Sequence, residues 1–385
     1  MHDVTRLFLS NFISDENDKD VFDKNEIQYV TNILLHREEK EILTRDIWGN
    51  WDFPYTDLDY SKPYLDEFVI NKINQNGIRK KTIWPNGKKM AVCFSHDVDV
   101  VSRYDIKYPI RQFKSKPKSP KNTFALGYQL IKQKNTFRKY DDELWCYEEW
   151  IKLLSKYNFT STFYFYSHPG IADNHRYDCD YFFTDFIKFN GKKMTVAEMM
   201  VSIKSAGFEI GLHSSYKTYN NQELMQKEAA QVSEIINSNI ISNRQHCLHF
   251  DIETTPSVIS SCGIKVDSSL GFNRSIGFRA GTSYPYFLTQ KDGIKLDLLE
   301  LPMHIMDSSL FRADCLALDE NLAKKKCLNL INHVERVGGC LTINFHPNYI
   351  TNKSWWSTFE FLVKELKERD IFCLRPENII GLVEH

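Results

Sequence analysis

Phe94-Ser95-His96-Asp97-Val98-Asp99 closes an apolar run that begins at Lys89. The run suits a buried strand, and it ends on two carboxylates at i and i+2. Alternation along a strand sends Asp97 and Asp99 to one face. Carboxylates taken out of water there must be paired or bound to a cation. A divalent ion would satisfy one and leave the other free to act as a base. The plainer reading is a strand-end turn in which Asp97 caps backbone N–H groups. Asp-x-Asp alone does not choose between them.

Working outward, strand-like runs recur at Phe159–Tyr166, Phe208–His213, His246–Phe250, Ile264–Ser268, Leu298–Met303 and Leu341–His346. Helical stripes lie between most of them. Tyr147, Trp150, Ile151 and Leu154 form one. Val196, Met199, Met200 and Ile203 form another, opened by the capping box Thr195/Glu198. Phe359, Leu362, Val363 and Leu366 form a third, with Ser354 as candidate cap. Alternating strands and helices predict a parallel sheet covered by helices. The absence of a dinucleotide fingerprint favours a barrel over a Rossmann sheet. The turn Trp84-Pro85-Asn86-Gly87 marks a boundary. Residues 1–83 are expected to form an N-terminal accessory segment, either a lid or a layer packed on the outside. Residues 84–385 are expected to form the barrel domain.

Three of the strand-like runs carry a histidine. His213 leaves Gly207–Leu212, His346 leaves Leu341–Phe345, and His246 follows Arg244-Gln245. A histidine in an apolar strand is more often a core residue bonded to a carbonyl than a metal ligand. The pattern of Asp, His, His and His, each assigned to a different strand end, is what outweighs that. One metal held by histidine and carboxylate, with one free carboxylate and one free histidine, is the equipment of water-mediated amide hydrolysis. Alternation places Arg244, His246 and Leu248 on one face and His249 on the other.

With these motifs in order, the chain resembles the polysaccharide deacetylases of carbohydrate esterase family 4, in a divergent bacterial branch. The resemblance rests on Trp84–Lys89 with Ser95–Asp99, on Gly207–Ser215, on Arg244–Phe250 and on Gly277–Pro285. It spans about residues 84 to 350. It implies a distorted (β/α)7 barrel that removes N- or O-acetyl groups from a glycan with a divalent metal, Zn²⁺ by preference. By resemblance Asp97 is the general base and His213 the first metal histidine. The family's metal carboxylate falls at Val98 here, so Asp99 is the replacement. The family's second metal histidine falls at Lys217, so the usual ligand set is incomplete and His246 is its expected repair. His346 is expected to protonate the leaving group. Arg279 or Arg244 is expected to hold Asp97 ionised. Trp355 and Trp356 are candidates for stacking on a sugar, or for core packing; Asp267 is a candidate cap. Two other functions stay open: a catalytically inactive glycan-binding protein on the same barrel, and a hydrolase of small-molecule C–N bonds.

The totals restrict partners. Among 385 residues, 49 Lys+Arg against 50 Asp+Glu give a formal net charge of −1. That balance gives no global electrostatic ground for a nucleic-acid partner. No signal-peptide core and no long uncharged apolar run is visible, and nine dispersed cysteines read as reduced thiols, so a cytoplasmic location is expected. One segment is locally basic. Arg103–Lys139 carries eleven Lys/Arg against one acid, Asp105. It follows the first strand, hence it is expected at the barrel mouth, where it would attract an anionic glycan. Charge reversal at Lys114, Lys116 and Lys118 should slow capture of an anionic glycan at low salt. The difference should shrink at physiological salt, where exposed charges are screened within about 8–10 Å. Association rates across a salt series measure it.

Overall fold

The computed structural model describes residues 3–383, apart from 42–43, 52–58, 103–118, 122, 126, 129–141 and 171–173. The first strand of the barrel, β1 (Met90–Val98), is buried along its whole length. It pairs in parallel on both edges, with β2 (Ser161–Tyr166) and with β11 (Cys340–Asn344). A strand covered on both faces has no solvent side, which is why Met90–Phe94 is continuously apolar rather than alternating.

The other strands are the hairpin β3 (Phe186–Phe189) and β4 (Lys192–Thr195), then β5 (Glu209–Ser214), β6 (Ser242–Gln245), β7 (Val266–Asp267), β8 (Tyr286–Thr289), β9 (Lys295–Glu300), β10 (Ile305–Met306) and β12 (Ile371–Cys373). The main sheet runs β10-β11-β1-β2-β5-β6-β7-β9-β8, and β12 pairs with the start of β1. All pairings in it are parallel except β8 with β9. Helices cross between successive parallel strands, among them Tyr147–Lys156, Val196–Ser205, Gln222–Ile236, Thr255–Ser261 and Glu320–Val337. The sheet curls into a distorted (β/α)7-like barrel. Parallel strands with helical crossovers put all their C-terminal ends on one rim. No helix among the described residues is long and apolar enough to cross a membrane.

The expected strand at His246–Phe250 is corrected. The strand is Ser242-Asn243-Arg244-Gln245, four polar residues that are all fully buried. An apolarity search passes over it. Several of its polar groups are paired sideways. Ser242 Oγ donates to Glu209 (2.5 Å), Asn243 Nδ2 to Asp267 Oδ1 (2.8 Å), and the Gln245 N–H to Ser269 Oγ (2.9 Å). The chain then breaks at Cys247 and Leu248, whose φ values of 57° and 50° are incompatible with a strand. One cap also shifts. Asn352, not Ser354, caps the helix Lys353–Lys367 by accepting the Ser354 N–H. The Thr195/Glu198 capping box forms as expected.

The N-terminal helices share the main core with the barrel. Phe8, Phe12, Val30, Leu65, Val69 and Ile73 belong to the same buried cluster as Phe94, Phe163 and Ile343. Polar contacts fix the packing. Asp66 accepts from the Ser283 N–H (2.8 Å) and hydroxyl (2.7 Å), and the Phe278 N–H donates to the Tyr60 carbonyl (2.8 Å). At Gly277 a Cβ would stand 2.3 Å from that carbonyl oxygen, so only glycine allows this approach. Just beyond it, Arg279 forms a bidentate pair with Glu39 (2.9 and 2.8 Å), both buried. Most of the basic segment Arg103–Lys139 lies outside the described residues.

The Glu39–Arg279 pair gives a stability prediction with a sign. Burial alone would raise the Glu39 carboxyl, but Arg279 outweighs it and holds the group at about 2, against an ordinary 4.5. A depressed carboxyl stabilises the fold fully above the unfolded value and loses that contribution as pH falls through the folded one. Glu39→Gln strands the guanidinium and should cost about 3–5 kcal/mol at pH 7. The difference from the unaltered chain should shrink as pH drops from 4.5 towards 2. Denaturant unfolding at a series of pH values measures both.

Candidate metal and acid–base site

The rim of the barrel gathers one carboxylate and three imidazoles. Asp99 sits just past β1, His213 in the last turn of β5, His246 just past β6 and His346 just past β11. Asp99 Oδ1 is 3.2 Å from His213 Nε2 and 3.9 Å from His246 Nε2, and its Oδ2 is 3.6 Å from His346 Nε2. One donor atom from each of Asp99, His213 and His246 lies within 4.8 Å of the others. Burial alone would raise the Asp99 carboxyl. The bond to His213 and the neighbouring charges of His346 and His246 hold it well below the usual carboxylate range instead.

Each imidazole is oriented from behind. His213 Nδ1–H donates to the Arg244 carbonyl (2.8 Å), His246 Nδ1–H to Asp178 Oδ1 (3.2 Å) and His346 Nδ1–H to Asp307 Oδ1 (2.6 Å). Asp307 also accepts the His346 backbone N–H (2.7 Å). A ring whose Nδ1 is committed in this way presents Nε2 to its other neighbour. A carboxylate and two imidazoles with Nε2 turned inward are a donor set that suits Zn²⁺ and related ions. Lys217 is exposed.

Asp97 lies at the end of β1, 2% exposed, and lines the same small cavity of about 80 Å³. That is several times the ~10–15 Å³ that a single water requires. Asp97 Oδ2 accepts from Asn344 Nδ2 (2.8 Å). Its Oδ1 is 3.6 Å from Arg244 NH1 and accepts no hydrogen bond among the described residues. Burial would lower the His346 imidazole, but Asp307, Asp99 and Asp97 raise it to about 10, so it carries a proton at neutral pH.

The structure separates the two arginines. Arg244 stands beside Asp97. Arg279 is corrected: its guanidinium is taken by Glu39 and the Gly271 carbonyl, and it lines a different cavity with Glu38 and Tyr60. The reason is the Gly277 contact, which carries that loop onto the N-terminal segment. His249 stacks on Tyr216 (4.0 Å) away from the cluster, and His96 Nδ1–H donates to the Phe345 carbonyl (2.8 Å) among Trp150, Phe163 and Phe359. Trp355 stacks on Phe311 and Tyr349, and Trp356 packs on Trp150. Asp267 caps Ser269 and holds Asn243.

Sequence reasoning missed Asp178, Asp307 and Trp48. Asp307 directly follows β10 as Asp99 directly follows β1, so the strand-end rule would have found it had that strand been recognised. Asp178 lies in a loop with no periodic signal. Trp48 reaches the cavity wall from the N-terminal segment, with the Arg312 guanidinium 5.4 Å over its ring. Its turn is clamped to the barrel by Asn50 Nδ2 on the Cys247 carbonyl (2.8 Å) and Tyr216 Oη on the Trp48 carbonyl (2.9 Å).

Comparison with solved structures returns this architecture. A protein named as a polysaccharide deacetylase from Mycobacterium smegmatis aligns with TM-score 0.51 and 18% identity over 78% of this chain and 92% of its own. The chain has a polysaccharide-deacetylase-like fold. A Puue allantoinase and a protein named as a polysaccharide deacetylase from Pseudomonas aeruginosa PAO1 each align with TM-score 0.51 and 12% identity, over 78% of this chain and 93% of theirs. No sequence-family model matches the chain, and no curated protein matches it. At such identities the likeness establishes the deacetylase-like fold, while the chemistry must be argued from the rim.

His246 gives the prediction for this site. His246→Ala should lower affinity for Zn²⁺ by roughly 10-fold or more, beyond what loss of an orienting residue gives. His249→Ala should leave it unchanged. Competitive chelator titration of the two variants measures this. Full metal occupancy in His246→Ala would assign His246 to substrate or proton transfer instead.

Proposed function

We propose that the chain is a metal-dependent deacetylase acting on acetyl amide or ester groups of a glycan. The observation that carries this is the inward convergence of Asp99, His213 and His246 beside a second carboxylate with a free buried oxygen. In this reading those three residues hold a divalent ion, Zn²⁺ by preference. When bound, the ion supplies Lewis acidity to the acyl oxygen and to water.

The chain's own residues supply the proton traffic. Asp97 Oδ1, which accepts no hydrogen bond among the described residues and stands 3.6 Å from Arg244, accepts a proton from the attacking water. Asn344 fixes the other oxygen, so the carboxylate cannot rotate away. His346, protonated and held by Asp307, gives a proton to the departing amine or alcohol. Base and acid come from neighbouring strands, Asp97 from β1 and His346 from the exit of β11. Trp48 and Tyr349 wall the cavity and exclude bulk water. A glycan matches the apolar wall; Arg312 at its edge is paired with Asp314 (2.8 Å).

A second reading, hydrolysis of a small-molecule C–N bond, is favoured by the modest cavity of about 80 Å³. One experiment tests both. The purified full chain is loaded with Zn²⁺ and assayed for acetate release from acetylated chitin and xylan oligomers, and for hydrolysis of small amides. Acetate release from oligomers supports the first reading, and turnover of small amides alone supports the second. A loaded protein that cleaves nothing would leave a glycan-binding role. Asp97→Asn should lower kcat by about 10²–10⁴ with unchanged metal content, whereas Asp99→Asn should lose the metal.

A further inference from the structure

Cys179 follows Asp178, the carboxylate that holds His246, in the loop between β2 and β3. Its side chain is buried, with the residue 2% exposed. Its Sγ is 3.9 Å from Asp99 Oδ1 and 3.9 Å from His246 Nε2, and those two atoms are themselves 3.9 Å apart. Carboxylate, imidazole and thiol thus form an equal-sided triangle of donors. In a loaded tetrahedral site, with metal–oxygen or –nitrogen distances near 2.1 Å and metal–sulfur near 2.3 Å, donors stand about 3.4–3.6 Å apart. A contraction of a few tenths of an ångström would bring all three onto one ion.

On one side Cys179 packs within the main apolar cluster. A buried thiol ordinarily sits as a small hydrophobe among apolar side chains. Here its polar neighbours are two of the three residues in the candidate ligand set. Cys179 does not line the open cavity, although Asp99, His213 and His246 do. It therefore stands behind the cluster and leaves the cavity side clear for water and substrate. Asp97 Oδ1, buried and without a hydrogen bond among the described residues, lines that clear side.

We infer that Cys179 is a further protein donor to the ion, beside Asp99 and His246. This rests on the metal centre proposed above. Binding forms a metal–sulfur bond and releases the thiol proton to solvent, with no electron transferred. A thiolate biases the site towards Zn²⁺ and Co²⁺ and against Mg²⁺ and Ca²⁺.

The test titrates the metal-free full chain with Co²⁺ and follows absorption. The expected result is visible ligand-field bands together with a near-ultraviolet sulfur-to-cobalt charge-transfer band. Cys179→Ser should keep the visible bands, lose the charge-transfer band and bind Co²⁺ roughly tenfold or more weakly. Cys247→Ser, on the cavity wall, should keep both. Visible bands without charge transfer in the unaltered chain, or a band that survives Cys179→Ser, would overturn the assignment and leave the Asp–His–His centre standing. No cobalt bands at all would overturn the centre and the Cys179 assignment together. The unaltered chain already decides the main question, and Cys179→Ala replaces the serine variant should that one not fold.

Discussion

A guanidinium sealed inside the barrel sets the terms for everything at its rim. Arg244 has no exposure, and a charge removed from water must be met by counter-charge and hydrogen bonds. Its NH2 donates to Ser95 Oγ (3.1 Å) and Ser268 Oγ (3.0 Å), its plane lies 4.9 Å from the Tyr164 ring, and Asp97 stands 3.6 Å away. Room for this stack comes from Gly211, where a Cβ would be 2.5 Å from Tyr164. One buried cation thus ties β1, β2 and β6 to Ser268 just past β7, and it places a counter-charge beside Asp97.

The histidines obey the same rule one layer out. Each is held by an acceptor behind it: a backbone carbonyl for His213, Asp178 for His246, Asp307 for His346. These acceptors come from strand β6, a loop and the start of a helix, so no local stretch of chain contains a complete unit. Orientation is set before any ligand arrives, and preorganisation of this kind makes a polar site both selective and costly to leave half-satisfied.

The N-terminal segment is bound into this arrangement rather than appended to it. Its helices enter the main core, its Glu39 takes the charge of Arg279, and its turn at Trp48 completes the cavity wall. The barrel rim therefore depends on contacts between residues more than a hundred positions apart. Such contacts bring ordering costs but also fix loops that would otherwise be free.

The sequence by itself was enough to determine the α/β class, the deacetylase-like barrel and a rim that brings Asp97, Asp99, His213 and His346 to strand ends. Strand burial leaves continuous apolar runs, and parallel order forces their C-terminal residues to one side. His246 was singled out by alternation along a strand that ends before it; the chain reaches the site through the turn at Cys247 instead. Only the tertiary structure decided that Arg244 rather than Arg279 faces Asp97, that Asp178, Asp307 and Cys179 flank the histidines, and that Ser242–Gln245 is a strand. The reason is physical: a buried polar group is specified by its partner, and a partner from a distant loop leaves no periodicity in the sequence. Apolar burial writes a pattern into neighbouring residues, whereas pairing of buried charges is settled only when the chain closes on itself.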